Sequence, residues 1–476
     1  MNSIEADVCS RKHGSFRSAQ TWIAGHPGKS GALAGWYQQG CGALGQLISF
    51  PLVVHRLSAV DAGIWFSFQG LLGAINLADF GLTFVLTRQV AYSLRLRENT
   101  AMANSDFIVT QPGWNGVAEV FSLSKKLFHA LGVVAALALA VIYLVVSNFG
   151  KLARDSSSRT LAAWCLLGCG TILSLQAKPG QAVIEGVAKV YLTRFLIGTC
   201  QLLAAAGVIA CLLAGGGMVA MAASVAAVSV IQWLAMGAIA TRQGSLSQLK
   251  DVRPSPGLLR KLVRVAVPMG VLNLSAFLTS SVQVPLLGSI LGPVIVPPFY
   301  LAQKIGQALN IAVTQLIGPQ TPLFTHELAD GNQTAAVRRM KRTLLWATIS
   351  VVAANLFFLF ASPPLVNLWV GPGRYIDKRT LILMSFDYSL LGATVAWAQF
   401  VFAAGRNPFV YSTAISAVLN VMLIFLLCPH LGLTGIPLAT LGSGLLTNYW
   451  YTLFTGVRLM KELRRNYRSN NPPNPD

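Results

Sequence analysis

The sequence predicts an all-α polytopic membrane protein of about twelve transmembrane helices in two pseudo-symmetric six-helix bundles, and three observations carry that reading. Of its 476 residues, 54% are hydrophobic and only 11% charged, against about 25% charged in an average soluble protein. With a mean hydropathy of +0.58, the chain has too few charges to build a water-facing surface. Apolar stretches of about 20 residues, the length that crosses a bilayer core, recur along almost the whole chain. Finally, part of the first half returns in the second at a fixed shift. A soluble enzyme, a nucleic-acid-binding domain and a secreted disulfide scaffold are excluded together. The net charge of +20 sits in short segments between apolar runs, where topology signals lie.

Because a bilayer core forces spanning segments to be helical, each apolar run counts as a helix. The tail, residues 1–30, holds Arg11, Lys12, Arg17 and Lys29 without an apolar core, so it does not read as a cleaved signal peptide. The first helix is expected to serve as an uncleaved signal. An N-terminal bundle over 31–241 contains helices at 33–56, 62–87, 127–149, 160–180, 191–213 and 217–240, with a polar stretch from 88 to 126. A linker, 242–261, carries Pro254 and Pro256. The C-terminal bundle over 262–457 contains helices at 262–290, 295–320, 343–362, 380–404, 408–428 and 432–457, and a basic tail follows over 458–476, expected to be disordered at its end.

Alternate connections differ in charge. Those on the side of both termini hold 28 Lys and Arg, against 7 on the other side. Cytoplasmic segments retain positive charge, so both termini are expected in the cytoplasm of a multi-pass protein of the bacterial inner membrane.

Shifting the chain by 234 positions lays Pro51–Thr87 on Pro285–Thr321 without a gap, with ten identities that include Pro51/Pro285, Gln69/Gln303, Asn76/Asn310 and Thr87/Thr321. Helices one and two thus match seven and eight. Six helices separate them, so the halves are parallel repeats related by an axis along the membrane normal. At 100° per residue, Gln69, Asn76, Asp79, Thr83 and Thr87 fall within an arc of about 80° on helix two. On helix eight, Gln303, Gln307, Asn310, Thr314 and Thr321 fall within about 60°, with Lys304 beside them. Helix one adds Gln39, Gln46 and Ser49, which the shift carries onto Asn273, Ser280 and Gln283 of helix seven. Such groups commonly serve only as hydrogen bonds between helices. Their recurrence at related places on four helices is better explained by a shared hydrated cavity.

Ionisable groups at membrane depth are costly and thereby mark function. Arg88, Lys178, Arg194, Arg260 and Arg264 lie near predicted helix ends, where long side chains reach the headgroups. Lys304, Asp79 and Asp387 remain: Lys304 as a cavity cation and the two acids as candidates for ion coupling. The alternatives are a structural ion pair or, for Asp387, an interfacial position. The cysteines and six histidines are dispersed, with no P-loop and no metal-ligand spacing. No catalytic residue, metal or cofactor is expected, and the chain reads as a transporter rather than an enzyme.

The run Phe50-Pro51-Leu52-Val53-Val54, then Asp61-Ala62-Gly63-Ile64-Trp65, Leu77-Ala78-Asp79-Phe80-Gly81-Leu82 and Arg88-Gln89-Val90-Ala91, resembles the start of bacterial polysaccharide transporter family flippases. These belong to the multidrug/oligosaccharidyl-lipid/polysaccharide exporter superfamily. The segment Leu431-Gly432-Leu433-Thr434-Gly435-Ile436-Pro437-Leu438-Ala439 is similar to that family's last helix. The resemblance implies an alternating-access carrier, its halves forming a V around a central cavity lined by helices one, two, seven and eight. It also implies several basic residues in the cavities of relatives that move diphosphate-linked lipids. Here Lys304 is the one deep cation, with Arg88 at the cytoplasmic rim.

The function so implied is export of an isoprenoid-diphosphate-linked oligosaccharide or polysaccharide repeat unit for surface glycan assembly. Lys304 would attract the diphosphate, while Gln303, Gln307, Asn310, Thr314, Gln69, Asn76, Thr83, Gln39, Gln46, Asn273 and Ser280 line the substrate path. The expected partners are the isoprenoid-linked glycan, the lipid bilayer and glycan polymerases or glycosyltransferases of the pathway. Nucleic acid is not among them, and the chain is expected to be a monomer. A cation-coupled multidrug exporter of the same superfamily is the alternative. A membrane glycan polymerase or ligase is a third reading, and would need a large outer loop with catalytic Arg or His; the longest outward connection expected here, about 363 to 379, carries Arg374.

Overall fold

A computed structural model of the protein describes residues 27–73, 75, 79, 81–95, 113–149, 158–187, 189–243, 258–317, 320–329, 332–404 and 406–470. Among them every regular element is helical. In chain order these are α1 (Pro27–Arg56), α2 (Ala59–Leu72), α3 (Leu82–Arg95), α4 (Gly113–Phe149), α5 (Ser158–Gln176), α6 (Lys178–Gly186), α7 (Val190–Leu213) and α8 (Met218–Thr241). The second half has α9 (Leu258–Ser280), α10 (Gln283–Leu291), α11 (Val296–Ile317), α12 (Gln320–Ala329), α13 (Gln333–Trp369), α14 (Lys378–Ala403), α15 (Val410–Leu431), α16 (Gly435–Ser443) and α17 (Tyr449–Asn470). The all-α polytopic class expected from the sequence is the class observed.

Eight helical segments among the described residues are long and apolar enough to cross a membrane. Helices α1, α2 and α11 are not among them. Gln38, Gln39 and Gln46 dilute the apolar content of α1, and Gln303, Lys304, Gln307 and Asn310 that of α11. Helix α2 is apolar but, at 14 residues, too short to span.

Several expected elements differ in extent: helix seven is interrupted between Ser280 and Gln283, the last helix runs on to Asn470, and three others depart as follows. Helix two, read as continuous over 62–87, is two helices: α2 ends at Leu72, and α3 starts at Leu82 after Gly81, whose φ is +72°. A left-handed residue cannot continue a right-handed helix. Helix three begins at Gly113 rather than 127, because Val117, Val120 and Phe121 give the supposed loop a buried face. Helix nine continues through Pro363 and Pro364 to Trp369, which shortens the following connection to residues 370–377. The fixed φ of proline is itself helical, so it does not by itself end a helix.

The chain divides into two compact units: residues 1–52, 81–141 and 157–267 form one, and 53–80, 142–156 and 268–476 the other. In the first, α5 packs along α8, α7 along α8, and α3 on α6. These contacts are close because small residues line them. A Cβ at Gly170 would lie 3.0 Å from the Ala226 Cα, and one at Gly186 2.9 Å from the Thr87 carbonyl oxygen. Without a hydrophobic drive between helices in lipid, such backbone approach is what holds a bundle together. Helices α1 and α7 are joined by the stacked rings of Tyr37 and Phe195, a Tyr37–Thr199 hydroxyl pair, and Arg194, which donates to Gln38 at 3.2 Å.

The second unit is built on α13, α14, α15, α16 and α17, with α11 against α13 and α14. It also contains α2, which packs on α10, on α11 and on the 3-10 turn Pro293–Ile295 between them. That turn follows Gly292 at φ +106°. A Cβ at Gly63 would fall 1.9 Å from the Pro293 carbonyl oxygen, and one at Gly70 2.9 Å from Pro285 Cδ. Two glycines seven residues apart therefore let α2 lie flat on this turn.

Candidate functional site

The expected site residues are carried by α1, α2 and α3, by α9 and α11, and by α14. Asn76 lies outside the described residues, as does the side chain of Thr314. The break at Gly81 ends the single stripe expected on helix two: Gln69 is half-buried on α2 in the second unit, whereas Thr83 is buried on α3 in the first. Asp79, half-buried, and Arg88, exposed, both have interaction partners.

On α11 the structure splits the expected stripe. Gln303 is 3% exposed; its Nε2 donates to Gln283 Oε1 at 3.0 Å and to the Ser280 carbonyl at 2.8 Å. Gln283 Nε2 in turn donates to Thr440 Oγ1 at 2.8 Å. This buried chain ties α11 to α10 and α16. Asn310 also turns inwards. Its Nδ2 donates to the Gly306 carbonyl at 3.2 Å, and its Oδ1, buried without a partner, lies where a Cβ on Gly392 would be at 2.6 Å. Ser280 spends its hydroxyl on the Ala276 carbonyl.

Five amides are placed differently. Gln307 and Gln69 are half-buried, and Gln39, Gln46 and Asn273 are exposed. None of their side chains has a hydrogen-bond partner among the described residues.

Lys304 stands at the edge of the buried face of α11. Its Nζ lies 5.1 Å from the centroid of the Tyr300 ring, one turn earlier, and that ring stacks on Phe66 of α2 with centroids 4.6 Å apart and planes at 23°. Among the described residues no carboxylate pairs with this ammonium. Phe66 and Tyr300 are also 234 positions apart. That is the shift that relates the two halves of the sequence, and Lys304 lies one turn from the stack. The position equated with Lys304 is Gly70, so the cation exists in one repeat only.

Asp387, 5% exposed, is interior to the second unit. It accepts a hydrogen bond of 2.7 Å from the Tyr449 hydroxyl. The π-helical turn Gly444–Asn448 comes just before Tyr449. An extra residue per turn resets the helical phase, and this advances Tyr449 to the face that meets α14. The neighbouring Tyr388 covers Gly306 and donates to the Gln303 carbonyl at 3.4 Å.

Sequence reasoning missed Tyr300, Phe66 and Tyr449. The first two carried a signal, since the shift aligns two aromatic residues one turn from Lys304; Tyr449 carried none. It also missed Glu119, which is 1% exposed on α4 and has a partner, because its segment reads as a loop. Among the described residues no cluster of His, Cys, Asp or Glu could hold a metal.

No family model matches the sequence, and no curated protein matches it. Solved structures do match. An inward-facing multidrug resistance MATE transporter of the MOP superfamily aligns with a TM-score of 0.66 at 16% identity, covering 90% of this chain and 99% of that one. A MOP superfamily transporter from Pyrococcus furiosus, for which reversed polarity of the binding pocket was taken to suggest a different function, aligns at 0.62 and 14% identity, covering 92% and 97%. The lipid II flippase MurJ, inward closed, aligns at 0.56 and 14%, covering 92% and 90%. The chain therefore has the all-helical polytopic fold of these transporters.

Proposed function

We propose that this protein is an alternating-access flippase that carries an isoprenoid-diphosphate-linked oligosaccharide or polysaccharide repeat unit across the bacterial inner membrane, with both termini cytoplasmic. The observation that carries the reading is Lys304. A lysine at the centre of a membrane helix costs about 3 kcal/mol on insertion scales. A cation–π contact returns about 0.5–2 kcal/mol. The ring of Tyr300 thus offsets part of the cost, and water or an anion supplies the rest. A diphosphate suits this position, because lysine binds phosphate as a point charge. The unpartnered amides of Gln307, Gln69, Asn273, Gln39 and Gln46 then hydrogen-bond sugar hydroxyls, and the isoprenoid tail stays in lipid. Gln303 ties helices together beside the site, whereas Asn310 and Ser280 spend their side chains on the backbone of their own helices. Asp387 and Asp79 are the candidates for coupling to a cation.

Cation-coupled export of organic cations is the competing reading, favoured by the buried Asp387 and by the MATE likeness of the fold. One variant series separates the two. In proteoliposomes containing a fluorescent isoprenoid-diphosphate saccharide, Lys304→Arg is expected to retain partial flipping. Lys304→Gln and Lys304→Glu are expected to lose it while inserting at wild-type levels. Wild-type flipping by Lys304→Gln would remove Lys304 as the headgroup site and make Arg88 the next candidate. Export of an organic cation that improves in Lys304→Glu would favour the competing reading.

A further inference from the structure

At one end of the second unit, α12 and the first four turns of α13 enclose a cavity of about 710 Å³ lined by Arg338, Arg339 and Arg342, with Glu327, Thr343 and Trp346. Its floor is firm. Phe324, Met340 and Leu344 are buried beneath it in one apolar cluster with Phe400 of α14. Arg339 is already spent: its Nε and Nη2 both donate to Glu327 Oε1, at 2.8 and 2.6 Å, and its Nη1 donates to Gln320. Glu327 and Arg339 cancel.

Arg338 and Arg342 do not share that fate. They lie four residues apart on one face of α13, both are exposed, and neither has a carboxylate partner among the described residues. Trp346, 59% exposed, continues the same face one turn further. Starting at Leu345, the outer surface of α13 is mainly apolar, with Leu345, Ile349, Val352, Leu356, Phe360 and Leu368 exposed and polar interruptions at Thr348 and Asn367. From Leu345 to Leu368 is about 35 Å at 1.5 Å per residue, close to the roughly 30 Å of a bilayer's hydrocarbon core. The two arginines therefore stand just outside that core, where lipid phosphates lie, and Trp346 sits at the boundary that tryptophan favours.

We propose that this pocket binds the phosphate of an anionic phospholipid, with Arg338 and Arg342 holding its oxygens and Trp346 packing beside the glycerol end of the acyl chains. Two free guanidinium groups suit a phosphate, which they can meet with paired hydrogen bonds. A choline or ethanolamine head would need an acid, and the lining acid, Glu327, is neutralised by Arg339. The assignment is independent of what the protein transports.

The test uses the full-length protein in detergent micelles, titrated with phosphatidylglycerol, phosphatidylcholine or inorganic phosphate and read by native mass spectrometry as lipid retained. Phosphatidylglycerol should be held roughly tenfold better than phosphatidylcholine, the scale of one charge-assisted contact. Arg338→Gln and Arg342→Gln should each lower its retention severalfold, and Arg342→Lys should keep part of it. Lys341→Gln removes the same charge from the same helix outside the pocket and should change nothing. Equal loss in all three glutamine variants would overturn the proposal in favour of diffuse attraction. Equal retention of the two lipids would overturn it as well, and displacement of the lipid by millimolar inorganic phosphate would reassign the pocket to a free anion.

Discussion

Gln303 and Gln307 are one turn apart on α11 and chemically identical, yet the structure gives them opposite duties, so replacing each by leucine should damage different properties. In Gln303→Leu the bonds to Gln283 and to the Ser280 carbonyl disappear, and Gln283 Oε1 is stranded in a buried place. Hydrogen bonds between membrane helices average about 0.6 kcal/mol, and an orphaned buried acceptor adds about 1–3 kcal/mol. The total loss is about 2–4 kcal/mol, enough to lower the thermal midpoint by several degrees. Gln307→Leu breaks no bond among the described residues and should leave that midpoint within a degree or two while transport falls. The assay is a pair of measurements on each purified variant: thermal unfolding in detergent and flipping in proteoliposomes. A Gln303→Leu protein as stable as wild type but inactive would refute the division, since Gln303 would then be touching cargo rather than holding helices.

Two further outcomes follow from local geometry. Gly63→Ala sets a methyl group 1.9 Å from the Pro293 carbonyl oxygen, so α2 must move off its turn; overpacking of this kind costs about 1–3 kcal/mol, and a thermal midpoint equal to wild type would show that the contact is not tight. Partial burial works to raise the Asp377 carboxyl, but the side-chain and backbone hydrogen bonds it receives from Thr380 outweigh this and hold it below the ordinary aspartate range. A carboxyl depressed in the folded state contributes stability above its unfolded value, about 3.9, and loses it as pH falls through the lower folded value. Stability measured between pH 6 and pH 3 should therefore drop more steeply in wild type than in Asp377→Asn, and parallel curves would remove the cap from the account.

The helical class was legible because membrane solvent leaves the backbone few alternatives, and the polar segments were legible because glutamine and lysine are rare in apolar runs. Which way each polar side chain turns was not legible. Gln303, Gln307 and Asn310 share an arc on paper, but what separates them is tertiary: Gln303 bonds Gln283 and the Ser280 carbonyl, and Gly392 leaves room for Asn310. Periodicity also assumes an unbroken helix, and Gly81 breaks the one on which Gln69 and Thr83 were to share a face. Asp387 was recognisable as an intramembrane acid. Its partner Tyr449 was not, because a π turn displaces it from the phase a regular helix would give.

The seat of α2 also has a consequence for the order in which the protein is made. Gly63 meets Pro293, about 230 residues later in the chain. A ribosome adding roughly 5–20 residues per second needs on the order of 10–50 s to supply that partner. Throughout that interval the face of α2 carrying Gly63, Phe66 and Gly70 has nothing to close on, and so distant a contact is slow to form. A nascent chain released after the sixth helix would hold α2 without its seat. The insertion machinery, or a neighbouring helix standing in for the turn at Pro293, must shelter this element until the second half arrives.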